Sequence, residues 1–342
     1  MAETATPLLT VQNLQTYFPQ DEGTVKAVDG ASFALYPGRT LAIVGESGCG
    51  KSMTARSVLR IVEKPGRIVA GEILFRRQKV AQASAASPVV DLVQLEPDGA
   101  EMKAIRGAEI ALIFQEPMSS FSPVHTVGNQ IIEAILLHQH VGKREARVRA
   151  LEMLRRVGIP LPEQRLEAYS YQLSGGLRQR AMIAMALSCN PTLLIADEPT
   201  TALDVTTQAQ ILDLMRQLQQ EFSMAIMLIT HDLGVVAEMA DDVVVMYLGR
   251  VVEQAPVDEI FYAPKHPYTQ ALLRSIPHLR STARERLASI AGSVPHPYNR
   301  PPGCPFHPRC TAFMPGVCDQ HLPTLQQVGA NHVVSCLLYT GV

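Results

Sequence analysis

Residues Gly45-Glu46-Ser47-Gly48-Cys49-Gly50-Lys51-Ser52 place two outer glycines, a lysine and a hydroxyl at the spacing of a phosphate-binding loop. The aliphatic run Leu41-Ala42-Ile43-Val44 before it reads as a buried strand, and a helical pattern runs from Met53 to Val62 after it. That is the context such a loop requires. Glycines at 45 and 50 let backbone N–H groups turn toward phosphate oxygens, and the following helix adds its positive end. Lys51 then reaches the β and γ phosphates, and Ser52 offers an oxygen to Mg²⁺. At this chain's own residue frequencies the pattern arises by chance in roughly three of a thousand such chains, before strand and helix are required. A ligandless glycine turn is therefore set aside. Cys49, at a variable position of the loop, reads as a small filler before it reads as a redox switch.

A second aliphatic run, Leu193-Leu194-Ile195-Ala196, ends in Asp197-Glu198. One carboxylate at the end of a buried strand can hold Mg²⁺ through water, and its neighbour can polarise an attacking water. Asp197 suits the first task and Glu198 the second. Between the two motifs, Leu173-Ser174-Gly175-Gly176-Leu177-Arg178-Gln179-Arg180 opens another helical pattern. Ser174 is a natural N-cap and the glycines bare the backbone, so this is a second anion-binding helix start. By itself the segment reads as an ordinary capped helix.

Together these residues resemble the ATP-binding cassette (ABC) family. Gly45 to Ser52 matches its Walker A, Gln115 in Ile113-Phe114-Gln115-Glu116-Pro117 its Q-loop, and Leu173 to Gln179 its signature. Asp197-Glu198 matches its Walker B, Ala202-Leu203-Asp204 its D-loop, and His231 in Ile229-Thr230-His231-Asp232 its switch histidine. All six stand in the family's order. The resemblance implies an α/β P-loop NTPase with a RecA-like core, an antiparallel β subdomain and a helical subdomain. It also implies ATP held between two cassettes, by one chain's Walker A and the other's Ser174, Gly175, Gly176 and Asp204. In that scheme Ser52, Gln115 and Asp197 attend Mg²⁺, Glu198 is the general base, and His231 orients the γ-phosphate and water. Tyr17 is a candidate to stack on adenine. One position departs from the family: the signature's usual Gln is Leu177, which removes a side-chain contact but leaves the hydroxyl and backbone donors.

Arg250-Val251-Val252-Glu253 and His266-Pro267-Tyr268-Thr269-Gln270-Ala271-Leu272-Leu273 further resemble the dipeptide and oligopeptide permease ATPases. That branch implies a second ATPase subunit, with a heterodimer favoured over a homodimer, two transmembrane permease subunits and an extracytoplasmic solute-binding protein. It implies residence on the cytoplasmic face of a bacterial inner membrane. Physically, His266 to Leu273 reads as an N-capped helix. In the tail, Cys304, Cys310, Cys318 and Cys336 make a metal site the expectation, because four thiolates enclose a soft cation or cluster. The spacing lacks the close pair usual for zinc, and the resemblance points to a [4Fe–4S] cluster. Zinc is the second reading and unligated buried thiols the third.

The elements that must position these groups follow from composition. The 342 residues are 47% hydrophobic and 18% charged, which excludes a disordered chain, and a net charge of −2 offers no basic field for nucleic acid. The N-terminus lacks a signal-peptide pattern, and no apolar run approaches the roughly 20 residues that span a bilayer. Short aliphatic runs alternating with amphipathic stretches over residues 1–260 suggest a mainly parallel sheet. Residues 261–342 hold seven Lys and Arg against two Asp and Glu, with eleven of the 24 prolines, and read as a small appended domain carrying the four cysteines. Helices are expected over Ile131–His138, Lys143–Val157 and Leu203–Phe222, the last with Ile211, Leu212, Leu214, Met215 and Leu218 on its apolar face. Gln78–Ala104 reads as an insertion or a longer loop in the antiparallel subdomain. The expected function is ATP hydrolysis energising import of peptides or related solutes; the rival is a soluble cassette ATPase acting on nucleic acid or ribosomes.

Overall fold

The computed structural model describes residues 6–78, 88–115, 120–276 and 290–340. Part of the 78–104 segment, and Glu116 and Pro117 of the glutamine motif, lie outside them. The chain sorts into two compact units. The first comprises Met1–Leu8, Leu35–Arg39 and Phe75–Ile229, and the second Leu9–Ala34, Thr40–Leu74 and Thr230–Val342. In chain order the strands among the described residues are β1 (Leu9–Gln20), β2 (Gly23–Leu35), β3 (Thr40–Val44), β4 (Arg67–Arg76), β5 (Val89–Asp91) and β6 (Ile110–Ile113). They continue as β7 (Leu193–Asp197), β8 (Ala225–Ile229), β9 (Asp242–Tyr247), β10 (Arg250–Pro256), β11 (Gln326–Gly329) and β12 (His332–Val334).

In the first unit β6, β7 and β8 run parallel, with Ile113 opposite Ala196 and Asp197 opposite Ile229. Every residue of β7 and β8 is buried. Strands covered on both faces read as unbroken aliphatic runs, which is why the sequence showed no alternation there. The helix Val205–Phe222 buries the five residues expected, Ile211, Leu212, Leu214, Met215 and Leu218. It begins two residues later than expected because Asp204 is its N-cap. The other two expected helices form as Val127–His138 and Lys143–Arg156. Thr126 lengthens the first of them, its side chain accepting from the Asn129 N–H and so fixing an earlier start.

In the second unit β3 pairs in parallel with β9, setting Val44 opposite Val245, and β9 turns back antiparallel into β10. The two-residue turn Leu248-Gly249 has φ of 45° and 76°, the handedness a tight hairpin needs. The tail adds β12 antiparallel to β10, and β11 to β12. These three- and four-residue strands carry too short an apolar run to announce themselves in the sequence. A further sheet has the order β2-β1-β4. The helix after the phosphate loop, Lys51–Val58, stops four residues short of the expected Val62, and Arg60 sits at φ 57°, which no helix continues through. Tyr247, Tyr268, Phe306 and Leu337 pack into one core with residues of β3, β9 and β10.

The helix Pro267–Arg274 is capped as expected: His266 Nδ1 accepts from the Tyr268 N–H at 3.0 Å. Burial pushes the pKa of His266 down from 6.5 to about 3. Between those values the unfolded chain binds the proton and the folded chain does not. The unfolding free energy should therefore fall as pH drops through 6.5 toward 3, by up to about 1.4 kcal/mol per pH unit from this group. Above that window the group adds no slope. Urea unfolding at pH 7, 6 and 5 checks this against His266→Asn, which retains a capping acceptor without a titrating ring. A shallower slope in the variant is expected, and equal slopes would sink the assignment.

Candidate nucleotide site

The phosphate loop leaves the carboxyl end of β3 and enters the helix Lys51–Val58. Gly45 has φ 150° and Gly50 φ 101°. A Cβ at Gly45 would lie 2.2 Å from the Met246 carbonyl oxygen, and one at Gly50 would lie 2.3 Å from that of Ala27. Only glycine closes this loop against β9 and β2. Lys51 is buried, its Nζ donating to the carbonyls of Gly45 at 2.8 Å and Glu46 at 3.2 Å. A buried ammonium on neutral acceptors, at a helix N-terminus beside exposed Ser47 and Gly48, fits an anionic phosphate. Ser52 follows on the first turn of the helix. Cys49 is a buried thiol whose pKa burial raises, as its reading as a filler requires.

Tyr17 on β1 is part-buried, with Lys26 Nζ 5.4 Å from its ring centroid and its hydroxyl donating to Asp29 at 2.6 Å. Burial, then the hydrogen bond to Asp29, pushes its pKa up to about 12. Asp29 in turn accepts from Arg250 at 3.1 Å and Arg300 at 2.7 Å. Burial alone would raise the Asp29 pKa; the hydrogen bond from Tyr17 and the two guanidinium groups outweigh it, and the net shift is downward. The brace around Tyr17 was missed in the sequence because it joins three distant segments. His231 is exposed and follows Thr230, whose N–H meets the Ile43 carbonyl of β3 at 3.3 Å. Asp232 then caps the helix Leu233–Met239.

In the first unit Asp197 ends β7, largely buried, and Glu198 follows at φ 49°. A left-handed glutamate is strained, and such strain persists where surrounding contacts enforce it. Here they include the Glu198 N–H on the Ile229 carbonyl at 2.8 Å. Glu198 Oε2 also accepts from Gln115 Nε2 at 3.1 Å and Thr201 Oγ1 at 2.8 Å. The structure thus brings Gln115, Asp197 and Glu198 together. Two supporting residues had not been singled out, Thr201 and Gln179. The buried Gln179 amide donates to the Pro199 carbonyl at 2.6 Å and fixes the segment after Glu198.

Ser174 and Gly175 are exposed at the start of the helix Gly175–Leu187, with Ser174 Oγ accepting from the Leu177 N–H at 3.4 Å. The Leu177 side chain plays no part in that cap. Arg178 braces the turn by donating to the carbonyls of Ser170 and Leu173. Gly176 lies so close to Thr207 that a Cβ would sit 2.7 Å from its methyl group. Asp204 caps the helix Val205–Phe222 through the Thr207 N–H and hydroxyl, which hold its carboxyl below the usual range.

Comparison with known proteins decides the family. The ABC transporter family model matches residues 28–201, and that of the oligopeptide/dipeptide transporter C-terminal region matches residues 252–318. The chain belongs to the ABC transporter family. This cassette is 49% identical over 333 residues to the oligopeptide transport ATP-binding protein AppD of Bacillus subtilis, covering 97% of each chain. It is 46% identical to the dipeptide transport ATP-binding protein DppD of Escherichia coli, over 96% of each. Among solved structures it resembles a dimeric ATP-binding cassette in a post-hydrolysis state with ADP and Pi, with a TM-score of 0.62 and 25% identity over 73% of this chain and 98% of that one. It also resembles cbiO1 of Clostridium perfringens, part of the transporter complex cbiONQ, with a TM-score of 0.60 and 27% identity over 75% and 91%. These matches bear out the P-loop NTPase fold and ATP as the nucleotide.

The iron–sulfur expectation is corrected. Among the described residues no group of three or more His, Cys, Asp or Glu side chains could hold a metal ion, which also removes zinc. The names of the relatives above speak of ATP binding and transport, with no cluster. Cys304, Cys310, Cys318 and Cys336 are free thiols. Cys304 and Cys318 pack in the aromatic core with Tyr247, Tyr268 and Phe306. Burial pushes Cys304 up to about 11 and also raises Cys310 and Cys336. The third reading, thiols without a ligand, is the one left, with Cys304, Cys318 and Cys336 buried and Cys310 partly exposed.

Proposed function

We propose that the chain is the ATP-hydrolysing subunit of an importer for peptides or related small solutes. One observation carries this reading: the likeness to the oligopeptide and dipeptide transport proteins runs through 96–97% of the chain and so includes the region beyond the cassette core. Residues 1–260 would serve as the nucleotide-binding domain and 261–342 as its importer-specific extension. The rival, a cassette acting on nucleic acid or ribosomes, gains nothing from the net charge of −2. No described helix is long and apolar enough to cross a membrane. The pore is therefore assigned to two permease subunits on other chains, fed by an extracytoplasmic binding protein, with this subunit peripheral on the cytoplasmic face. A sister ATPase is the preferred pairing partner.

In this reading Lys51 and the loop amides bind the triphosphate, and Tyr17 carries the adenine. Ser174, Gly175, Gly176 and Asp204 serve the nucleotide of the paired cassette. Ser52, Gln115 and Asp197 would hold Mg²⁺, which when bound neutralises charge between the β and γ phosphates. Glu198 takes the proton of the attacking water, kept in place by Gln115 and Thr201, and His231 orients the γ-phosphate. Extraction from native membranes in mild detergent, followed by mass spectrometry of what copurifies, tests the assembly. Two permease chains and a second cassette are expected; soluble ribosomal or nucleic-acid partners alone would overturn it.

A further inference from the structure

The second residue of the phosphate loop, Glu46, is held at all three of its polar groups. Its N–H donates to the Tyr268 hydroxyl at 2.9 Å, and its carbonyl accepts from Lys51. Its carboxylate accepts a fork from Arg309, Nη1 at 2.7 Å and Nη2 at 3.0 Å. Tyr268 and Arg309 both come from beyond residue 260, and both are buried. Tyr268 is wedged between Tyr247 and Phe306, with ring centroids 4.8 and 5.2 Å away. Arg309 lies 5.8 Å from the Tyr247 ring centroid and donates through Nε to the Ala291 carbonyl at 3.1 Å. A planar fork seated on an aromatic ring is a rigid clamp, and lysine has no equivalent geometry.

A carboxylate inside a phosphate-binding loop is an electrostatic liability, because it carries the same sign of charge as the phosphates the loop must admit. We infer that Arg309, with Tyr268, is a positioning residue for ATP binding: it neutralises Glu46 and fixes the loop's second peptide from the tail. The inference rests on the loop's reading as the ATP site and adds a role for the extension in that site. Loss of Arg309 then does more than loosen packing, since it exposes the triphosphate to an uncompensated negative charge. Removing the charge of Glu46 as well should restore binding, which a purely structural role for Arg309 would not do.

Fluorescent mant-ATP titrated into the full-length protein separates these cases. Arg309→Met should raise the dissociation constant about tenfold or more, the loss of one charge-assisted pair. Glu46→Gln with Arg309→Met, which removes the repelling charge as well, should bind at least about threefold more tightly than Arg309→Met alone. Tyr268→Phe, which keeps the ring and loses the acceptor, should raise it about two- to fivefold. An Arg309→Met protein with a wild-type circular dichroism spectrum and unchanged affinity overturns the inference, as does a double variant as weak as the single one. Should Arg309→Met not fold, Arg309→Lys reads the same point, with a few-fold weakening expected and none overturning the inference. A wild-type protein that binds no mant-ATP would instead refute the site itself.

Discussion

Glu198→Gln keeps ATP binding within about threefold of wild type and lowers turnover by about 10²–10⁴-fold, the usual contribution of a positioned general base. The amide preserves shape and can still accept from Gln115 and Thr201 through its oxygen, so those 3.1 and 2.8 Å contacts survive. What disappears is the carboxylate to which the proposed function gives the proton of the attacking water. The strained φ of 49° is set by the backbone and not by the charge, so the side chain should stay where it is. Phosphate release at saturating ATP, measured beside mant-ATP affinity, reads both halves of the expectation. Turnover within tenfold of wild type would remove Glu198 from the role of base.

Gly50→Ala should abolish ATP binding and also destabilise the protein by at least about 1–2 kcal/mol, the penalty of a left-handed alanine. The conformational penalty is the smaller part of the argument. The added Cβ meets the Ala27 carbonyl oxygen at 2.3 Å and the Gly249 Cα at 3.3 Å, both backbone atoms that cannot rotate away. Either the loop or the β2 and hairpin backbone must shift, and the N–H groups aimed at the phosphates move with the loop. Gly48→Ala is the control: its Cβ meets nothing within 4 Å, so it carries the strain of φ 78° without the collision. Thermal unfolding and mant-ATP titration of both variants check this. Equal affinities in the two would show that the collision at Gly50 is relieved without cost to the site.

The parts of the site legible in the sequence are those whose chemistry is local. A phosphate loop needs its glycines, lysine and serine within eight positions, and Asp197-Glu198 needs only the end of a buried strand. Ser174 and His266 announce their caps by position. The four cysteines were misread because spacing along the chain does not tell a ligand set from thiols that pack beside aromatic rings, as Cys304 and Cys318 do. The tail strands were missed because a three-residue strand draws its stability from the edge it joins. The clamp on Glu46 joins residues 263 apart, and nothing in either neighbourhood marks the other.

The division of the chain into two units has a consequence for biosynthesis. The phosphate loop is made early, yet the core of its unit closes on residues as late as Leu337. A ribosome adds about 5–20 residues per second, so the 263 residues that separate Glu46 from Arg309 take about 13–53 seconds. Throughout that interval the nascent chain carries its loop without the Arg309 clamp on Glu46. On the inferred role of Arg309, full affinity for nucleotide is thereby deferred until that residue has been made, so a chain broken off before it would carry a phosphate loop that holds ATP weakly.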